Sequence, residues 1–489
     1  MSNAEETLDP DDWAFTREIA HQMVDDAVRH ISEVRDRPVW KEMPESARAH
    51  FSTPAPVGPT PLDAVYDELR ENLLPYSMGN IHPRFWGWYM GSSNFTGAMG
   101  DFIAAIDGSN LGGGNTAAAA VDTQVVNWFK EMMGFPESAS GTLTSGGSMA
   151  NLVALTVARN AMAGVDVRAD GIMAMPQPLR FYASDQVHNC HQKALETLGL
   201  GAKSLTQVSS DKQGRMDIAA LEHAIAEDRA AGIKPACVIG TAGTVDSGAL
   251  DDLTAIAALC KREGIWFHVD GCIGAVVRIA PKHRHLVDGI ELADSIALDP
   301  HKWLHTPFEA GCAIVRDAKR HVETFEMHGA YLQMQTRGLL AGDFLADYGL
   351  QLSRGFKALK IWMSLKENGV EKLGRLIDQN IDQARYLEGQ VRASAPLELV
   401  APVALNIVCF RYANGITDEA KLKTLNTEIM LRLQESGVAV ASDTTVAEKH
   451  CLRVAINNHR TVRQDLDLLL AEVLKVGATV EEETFSPAQ

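Results

Sequence analysis

The chain has 489 residues, 46% hydrophobic and 22% charged, a globular composition long enough for two or three packed domains. Its formal net charge of −18 argues against a nucleic-acid partner or an anionic membrane surface, and no apolar run reaches the length of a bilayer span. Seven scattered cysteines with no CxxC pair, and an acidic N-terminus without a signal-peptide pattern, are expected of a cytoplasmic protein.

Residues 11–35 place Trp13, Ala20, Met23, Val24, Ala27, Ile31 and Val34 on one side of a predicted helix. A Pro-rich linker over 43–61 and a second helix over 62–74 complete an N-terminal helical arm, 1–84. Such an arm either packs on a second copy of the chain, giving a homodimer, or forms a surface helix pair. Next, "TLTSGGSMANL" reads as a strand end, a turn through Ser145-Gly146-Gly147-Ser148, and a helix opening at about Met149. The short apolar runs 235–244, 264–271 and 294–302 are predicted strands, the first two separated by a helix that Gly264 closes. Strands buried on both faces and joined by helices form a parallel sheet, whose C-terminal edge gathers ligands. Thr241, Asp270, Asp299, His301 and Lys302 would all reach that edge. A large domain is expected over 85–357, and a small C-terminal α+β domain of helix, strand, helix, strand, helix over 358–489.

Several of these residues have both a plain and a chemical reading. The Gly-Gly turn is either a tight turn with a Ser cap or a cradle of backbone N–H groups for an anion. Asp270, in "HVDG", either caps the next helix or accepts a proton held on a ring nitrogen. Lys302, in "DPHKW", either snorkels beside Trp303 or, with its pKa lowered by desolvation, forms a Schiff base with a carbonyl cofactor. Anion cradle, ring-nitrogen carboxylate and Schiff-base lysine, in that order, describe a pyridoxal 5'-phosphate site. His188 and His191 stand three apart and His283 and His285 two apart, but no carboxylate or thiol completes a clear set, so no metal site is expected.

Over nearly its whole length the chain resembles the group II pyridoxal-phosphate-dependent amino-acid decarboxylases, the aromatic-L-amino-acid and glutamate decarboxylase type. The resemblance rests on "HPRFWGW", "TSGGSMAN", "SDQVHNCHQKA", "GTAGTVDSGALDDL", "HVDGCIGA", "DPHKW" and "YLQ". It implies a pyridoxal-phosphate-dependent transferase-like α/β fold of the aspartate aminotransferase type, with a mostly parallel central sheet. It also implies that Lys302 carries the cofactor and Asp270 pairs with the ring nitrogen. Gly147, Ser148, Asp299 and His301 would surround the phosphate, Thr241 and Thr244 would contact the cofactor, and His188 would stack on the ring. Tyr331 matches a loop tyrosine implicated in protonating the product carbon. Two departures stand out: Val245 where relatives commonly have threonine, and Cys272 where they have alanine.

The implied reaction converts an L-amino acid, a small-molecule substrate, to its amine and CO2. Phe85, Trp86, Trp88 and Tyr89 favour an aromatic side chain, whereas an acidic one would need an arginine, for which Arg84 is the candidate. The competing readings are a decarboxylase of another L-amino acid, an aldehyde-forming oxidative decarboxylase-deaminase, and a catalytically silent regulatory protein of the same fold.

Overall fold

The computed structural model describes residues 5–327 and 335–485. Seven strands build the main sheet: β1 (Ser140–Thr144), β2 (Leu179–Ser184), β3 (Leu205–Val208), β4 (Lys234–Thr241), β5 (Trp266–Asp270), β6 (Ser295–Leu298) and β7 (Gly311–Val315). Their order is β1-β7-β6-β5-β4-β2-β3, and only β7 runs antiparallel to its neighbours. Every residue of β5, β6 and β7 is buried, because helices cover both faces. The connection from β4 to β5 follows the sequence expectation in that Gly264 ends its helix, with φ 68°; the helix spans Leu253–Glu263, and Asp252 caps it by accepting the Ala255 N–H. Register pairs Thr241 with Asp270 and Asp270 with Ala297, so β4, β5 and β6 end at one edge.

The small sheet holds β8 (Leu397–Leu399), β9 (Ile407–Tyr412), β10 (Ser442–Val446) and β11 (Lys449–Ala455) in the order β10-β11-β9-β8. Helices Glu419–Glu435 and Arg463–Phe485 accompany it. The long helix Lys357–Ala393 serves both parts of the molecule. Ile361, Ile377 and Ile381 join the large core, Leu387 and Val391 the small one, and Gly369 breaks the helical backbone with φ 71°. The aromatic segment is stitched across in the same way: Trp86 N–H donates to Val440 O (2.7 Å) and Ala455 N–H to Trp86 O (3.1 Å).

The N-terminal helices occupy Trp13–Ser32 and Leu62–Asn72, with Asp12 capping the first. Trp13, Val28 and Val65 are exposed, as are Phe102, Ile103 and Ile106 on the helix Phe95–Asp107. Among the described residues no helix is long and apolar enough to cross a membrane.

At Gly311, the start of β7, an added Cβ would lie 2.5 Å from Gly146 Cα and 2.6 Å from Thr144 Oγ1. Neither neighbour can retreat, since both belong to the turn that leaves β1. Gly311→Ala is therefore expected to lower unfolding free energy by about 1–3 kcal/mol, read as a lower urea midpoint. An unchanged midpoint would mean the turn yields without cost.

Candidate active site

The C-terminal ends of β1, β2, β4, β5 and β6 surround a cavity of about 420 Å³. One wall is the start of the helix Gly147–Met162. Its N-cap is Gly146, which offers no side chain, so the first N–H groups remain for a ligand. Gly147 has to be glycine: a Cβ there would collide with Cys272 Sγ and lie 2.7 Å from Asp299 Oδ2. Ser145 and Ser148 line the same wall.

Asp270 ends β5 inside the cavity, with its carboxylate held on both oxygens. Oδ1 accepts the Cys272 N–H (3.1 Å), and Oδ2 is 2.8 Å from His191 Nε2. Burial alone would raise the Asp270 pKa, but His191, with the Cys272 side chain and Lys302, holds it well below the usual carboxylate range. His191 is completely buried; burial pulls its pKa down, yet Cys190 and Asp270 bring it up to about 10. Behind it, His268 bonds Asn151 Oδ1 (2.8 Å) and Ser295 Oγ (2.9 Å), and burial with His191 nearby pushes its pKa down to about 3. A neutral imidazole thus sits behind a charged one.

Lys302 Nζ lies 2.9 Å from Asp299 Oδ2. Sequence reasoning expected desolvation to lower the pKa of this amine. Burial does act in that direction, but Asp299, with Cys272 and Asp270, outweighs it and raises the Lys302 pKa above its ordinary value. The amine is therefore an ammonium in the ligand-free cavity. His301 is kept neutral by burial, accepts the Ala310 N–H on Nδ1 (3.1 Å) and stacks on Phe308 at 4.4 Å.

His188 lines the cavity, exposed to it, with Nδ1 accepting the Cys190 N–H (3.1 Å). Thr241 also lines it, and its buried Oγ1 has no hydrogen-bond partner among the described residues. Thr244 behaves otherwise. It does not line the cavity, and its Oγ1 accepts the Ala249 N–H (3.0 Å) inside the turn that follows β4. Val245 takes the place at the wall. Tyr331 lies outside the described residues.

The four aromatic candidates separate. Trp86 is fully buried in the small-domain core and Phe85 is packed against Val39 and Val440, whereas Trp88 is 56% exposed. Tyr89 alone of the four lines the cavity, joined there by Met90 and Phe308. Arg84 is turned away, its Nε donating to Val438 O (2.7 Å), and no arginine among the described residues lines the cavity. Sequence reasoning missed His191, Cys190 and Asn151. It also found no carboxylate or thiol to complete a set with the paired histidines, yet Cys190, His191 and Asp270 offer ligand atoms within 4.8 Å of one another. The HxxH spacing was the available signal, but Asp270 joins it only through the fold.

Comparison with known proteins now bears on this geometry. The pyridoxal-dependent decarboxylase conserved domain matches residues 44–413. The chain belongs to the pyridoxal-dependent decarboxylase family. An aromatic-L-amino-acid decarboxylase of Bacillus atrophaeus is 33% identical, with 96% of each chain covered. A phenylacetaldehyde synthase of Arabidopsis thaliana is 30% identical over 92% of this chain and 93% of its own. The Oryza sativa TDC solved with PLP and tryptamine superposes with a TM-score of 0.89 at 28% identity, covering 97% of this chain and 99% of that one. The decarboxylase is thus a carboxy-lyase with pyridoxal 5'-phosphate as its cofactor.

The cavity residues fit that cofactor on their own chemistry. The uncapped helix start and the Gly147 cradle suit a phosphate, the Asp270 carboxylate suits a protonated ring nitrogen, and Thr241 Oγ1 is an unused hydroxyl. Two threonine variants should separate binding from folding. Thr241→Val is expected to weaken cofactor affinity by about 1 kcal/mol, roughly fivefold, with little change in unfolding. Thr244→Val should cost about 1 kcal/mol of stability with little change in affinity. Cofactor titration and urea unfolding of both variants measure the contrast, and the reverse pattern would exchange the two roles.

Proposed function

We propose that this decarboxylase converts an aromatic L-amino acid to the corresponding amine and CO2. The observation that carries the reading is the convergence of Lys302, Asp270 and an uncapped helix N-terminus on one cavity whose wall holds Tyr89, Met90 and Phe308 but no arginine. The names of the relatives from Bacillus atrophaeus and Oryza sativa support it.

In this reading Lys302 carries the cofactor, Asp270 faces its ring nitrogen, and Gly147, Ser148 and His301 face its phosphate. Once bound, pyridoxal phosphate supplies a carbonyl for the amine and a ring that takes up the electron pair left when CO2 departs. Lys302 must first give up its proton and its contact with Asp299, since only the neutral amine is a nucleophile. Asp270, anionic under the hold of His191, would favour a proton on the cofactor's ring nitrogen. His188 covers the cavity and restricts how the substrate sits, and orientation decides which bond to the α-carbon breaks. Asp299 orients the lysine rather than the phosphate, because two anions would repel. Tyr331 supplies the proton that ends the reaction at the amine.

A second reading, aldehyde formation, is favoured by the 30% identity to a phenylacetaldehyde synthase. Retention of both His188 and Tyr331 supports the amine. The test is purified enzyme with pyridoxal phosphate and each of the standard amino acids plus DOPA, measuring CO2, amine, aldehyde and peroxide. Amine and CO2 from an aromatic substrate are expected, while activity on glutamate alone would overturn the reading. Tyr331→Phe should keep releasing CO2 while aldehyde and peroxide rise at the amine's expense. Borohydride should fix the cofactor to Lys302, and a label on Lys193 or Lys282 would refute its role.

The exposed apolar residues of the N-terminal helices and of Phe95–Asp107 support a homodimer, and seven unpaired thiols support a cytoplasmic location. Ile106, 73% exposed, is the sharpest probe of the dimer. Ile106→Asp should shift sedimentation from dimer to monomer, and a wild-type monomer of full activity would exclude the assembly.

A further inference from the structure

Two cysteines line the cavity, and their surroundings differ in kind. Cys190 is the first residue of the helix Cys190–Thr197, where the backbone dipole favours a negative charge. Its Sγ is 3.5 Å from Asn151 Nδ2, an N–H donor. A ring nitrogen of His191 and a carboxylate oxygen of Asp270 lie with it in a cluster no wider than 4.8 Å. His191 is bound to Asp270 through Nε2 at 2.8 Å, and its Nδ1 is buried without a hydrogen-bond partner among the described residues. Thiol, imidazolium and carboxylate thus stand in a row in which Asp270 holds the His191 cation and that cation favours a thiolate beside it.

Cys272 has the opposite setting. Asn151 Nδ2 is farther from its Sγ, at 3.7 Å, and no histidine bonds it. The carboxylates of Asp270 and Asp299 stand near, and burial with their charge drives its pKa well up. The other five cysteines are buried and do not line the cavity.

We propose that Cys190 is a reactive thiol, activated by His191 and Asp270, and that small soft electrophiles modify it when the cavity is free of cofactor. Nothing in the decarboxylation requires this thiol, so the site is additional to the reaction. The step is a simple displacement. With iodoacetamide, the Cys190 thiolate, its proton released to solvent and its charge held by the His191 imidazolium, bonds to the methylene carbon as the carbon–iodine bond breaks and iodide leaves. Electrostatics act in the same direction: burial would raise the Cys190 pKa, but His191 and His188 bring it down to about 7. The groups facing the sulfur are His188 and His191 from its own segment, Asp270 and Cys272 from the end of β5, and Asn151 from the helix Gly147–Met162.

The experiment is iodoacetamide labelling of the apoenzyme with peptide mass mapping, from pH 5.5 to 9.5, with and without pyridoxal phosphate. Cys190 should label first of the seven, about tenfold faster at pH 7 than an ordinary thiol, with a half-point near 7. His191→Phe should raise the half-point and slow labelling at pH 7 about tenfold. His191→Asn is a second variant should the first fail to fold, and circular dichroism reports folding in both. First labelling at Cys272, an ordinary half-point above 8, or a folded His191 variant that labels like wild type would each overturn the proposal. The protection arm alone rests on the cavity being the cofactor site. Pyridoxal phosphate should block the label, and rapid labelling in its presence would count against that reading while leaving the activated thiol standing.

Discussion

A carboxylate buried at the end of a strand whose five residues are all inside has to be held by donors, and Asp270 is that carboxylate. Its partners come from two places far from it in function but adjacent in space: the Cys272 N–H of the next turn and the imidazole of His191 at the start of another helix. His191 in turn needs a companion that does not compete for its charge, and His268, neutral and spent on Asn151 and Ser295, provides it. Losing one member of such a buried set costs several kcal/mol, so the layer is expected to be rigid.

The second charge pair, Lys302 with Asp299, is of a different character. It is short, at 2.9 Å, and it stores the lysine as an ammonium. Asp299 also keeps Oδ1 buried without a partner, a cost that a finished structural ion pair would avoid. Thr241 Oγ1 is left in the same condition on the neighbouring strand. Both atoms border the cavity, where a bound group could supply the missing partner.

The cavity's remaining wall is built from the junction of the two cores. Trp86 is anchored among the small-domain side chains, with its N–H and C=O bonded to Val440 and Ala455, and this sets Tyr89 and Met90 three and four residues further on against the cavity. Arg453 ties the same junction from the small sheet, its guanidinium donating to the Trp88 and Val245 carbonyls. The small sheet thus braces both the aromatic wall and the Val245 wall of the cavity.

The chain order of Ser145–Ser148, Asp270 and Lys302, the buried runs that became β4, β5 and β6, and the helix that Gly264 closes were legible in the sequence. Each depends on residue type and local spacing: apolar runs with β-branched residues extend, caps end helices, and polar residues just after such runs reach the sheet edge. What only the tertiary structure decided is which neighbour each polar group meets. Thr241 and Thr244 look alike in "GTAGT", yet one hydroxyl is left for a ligand and the other is consumed by Ala249 N–H. Phe85, Trp86, Trp88 and Tyr89 look alike as an aromatic cluster, yet the small core claims Trp86 and only Tyr89 reaches the cavity. Lysine 302 carries its proton because Asp299 outweighs burial, a balance of two opposed effects that composition cannot weigh. His191 and Asp270 are 79 residues apart, and no local pattern joins them. Strand pairing brings them within 2.8 Å, and at that distance in a buried site the choice of partner, not the residue type, sets charge and chemistry.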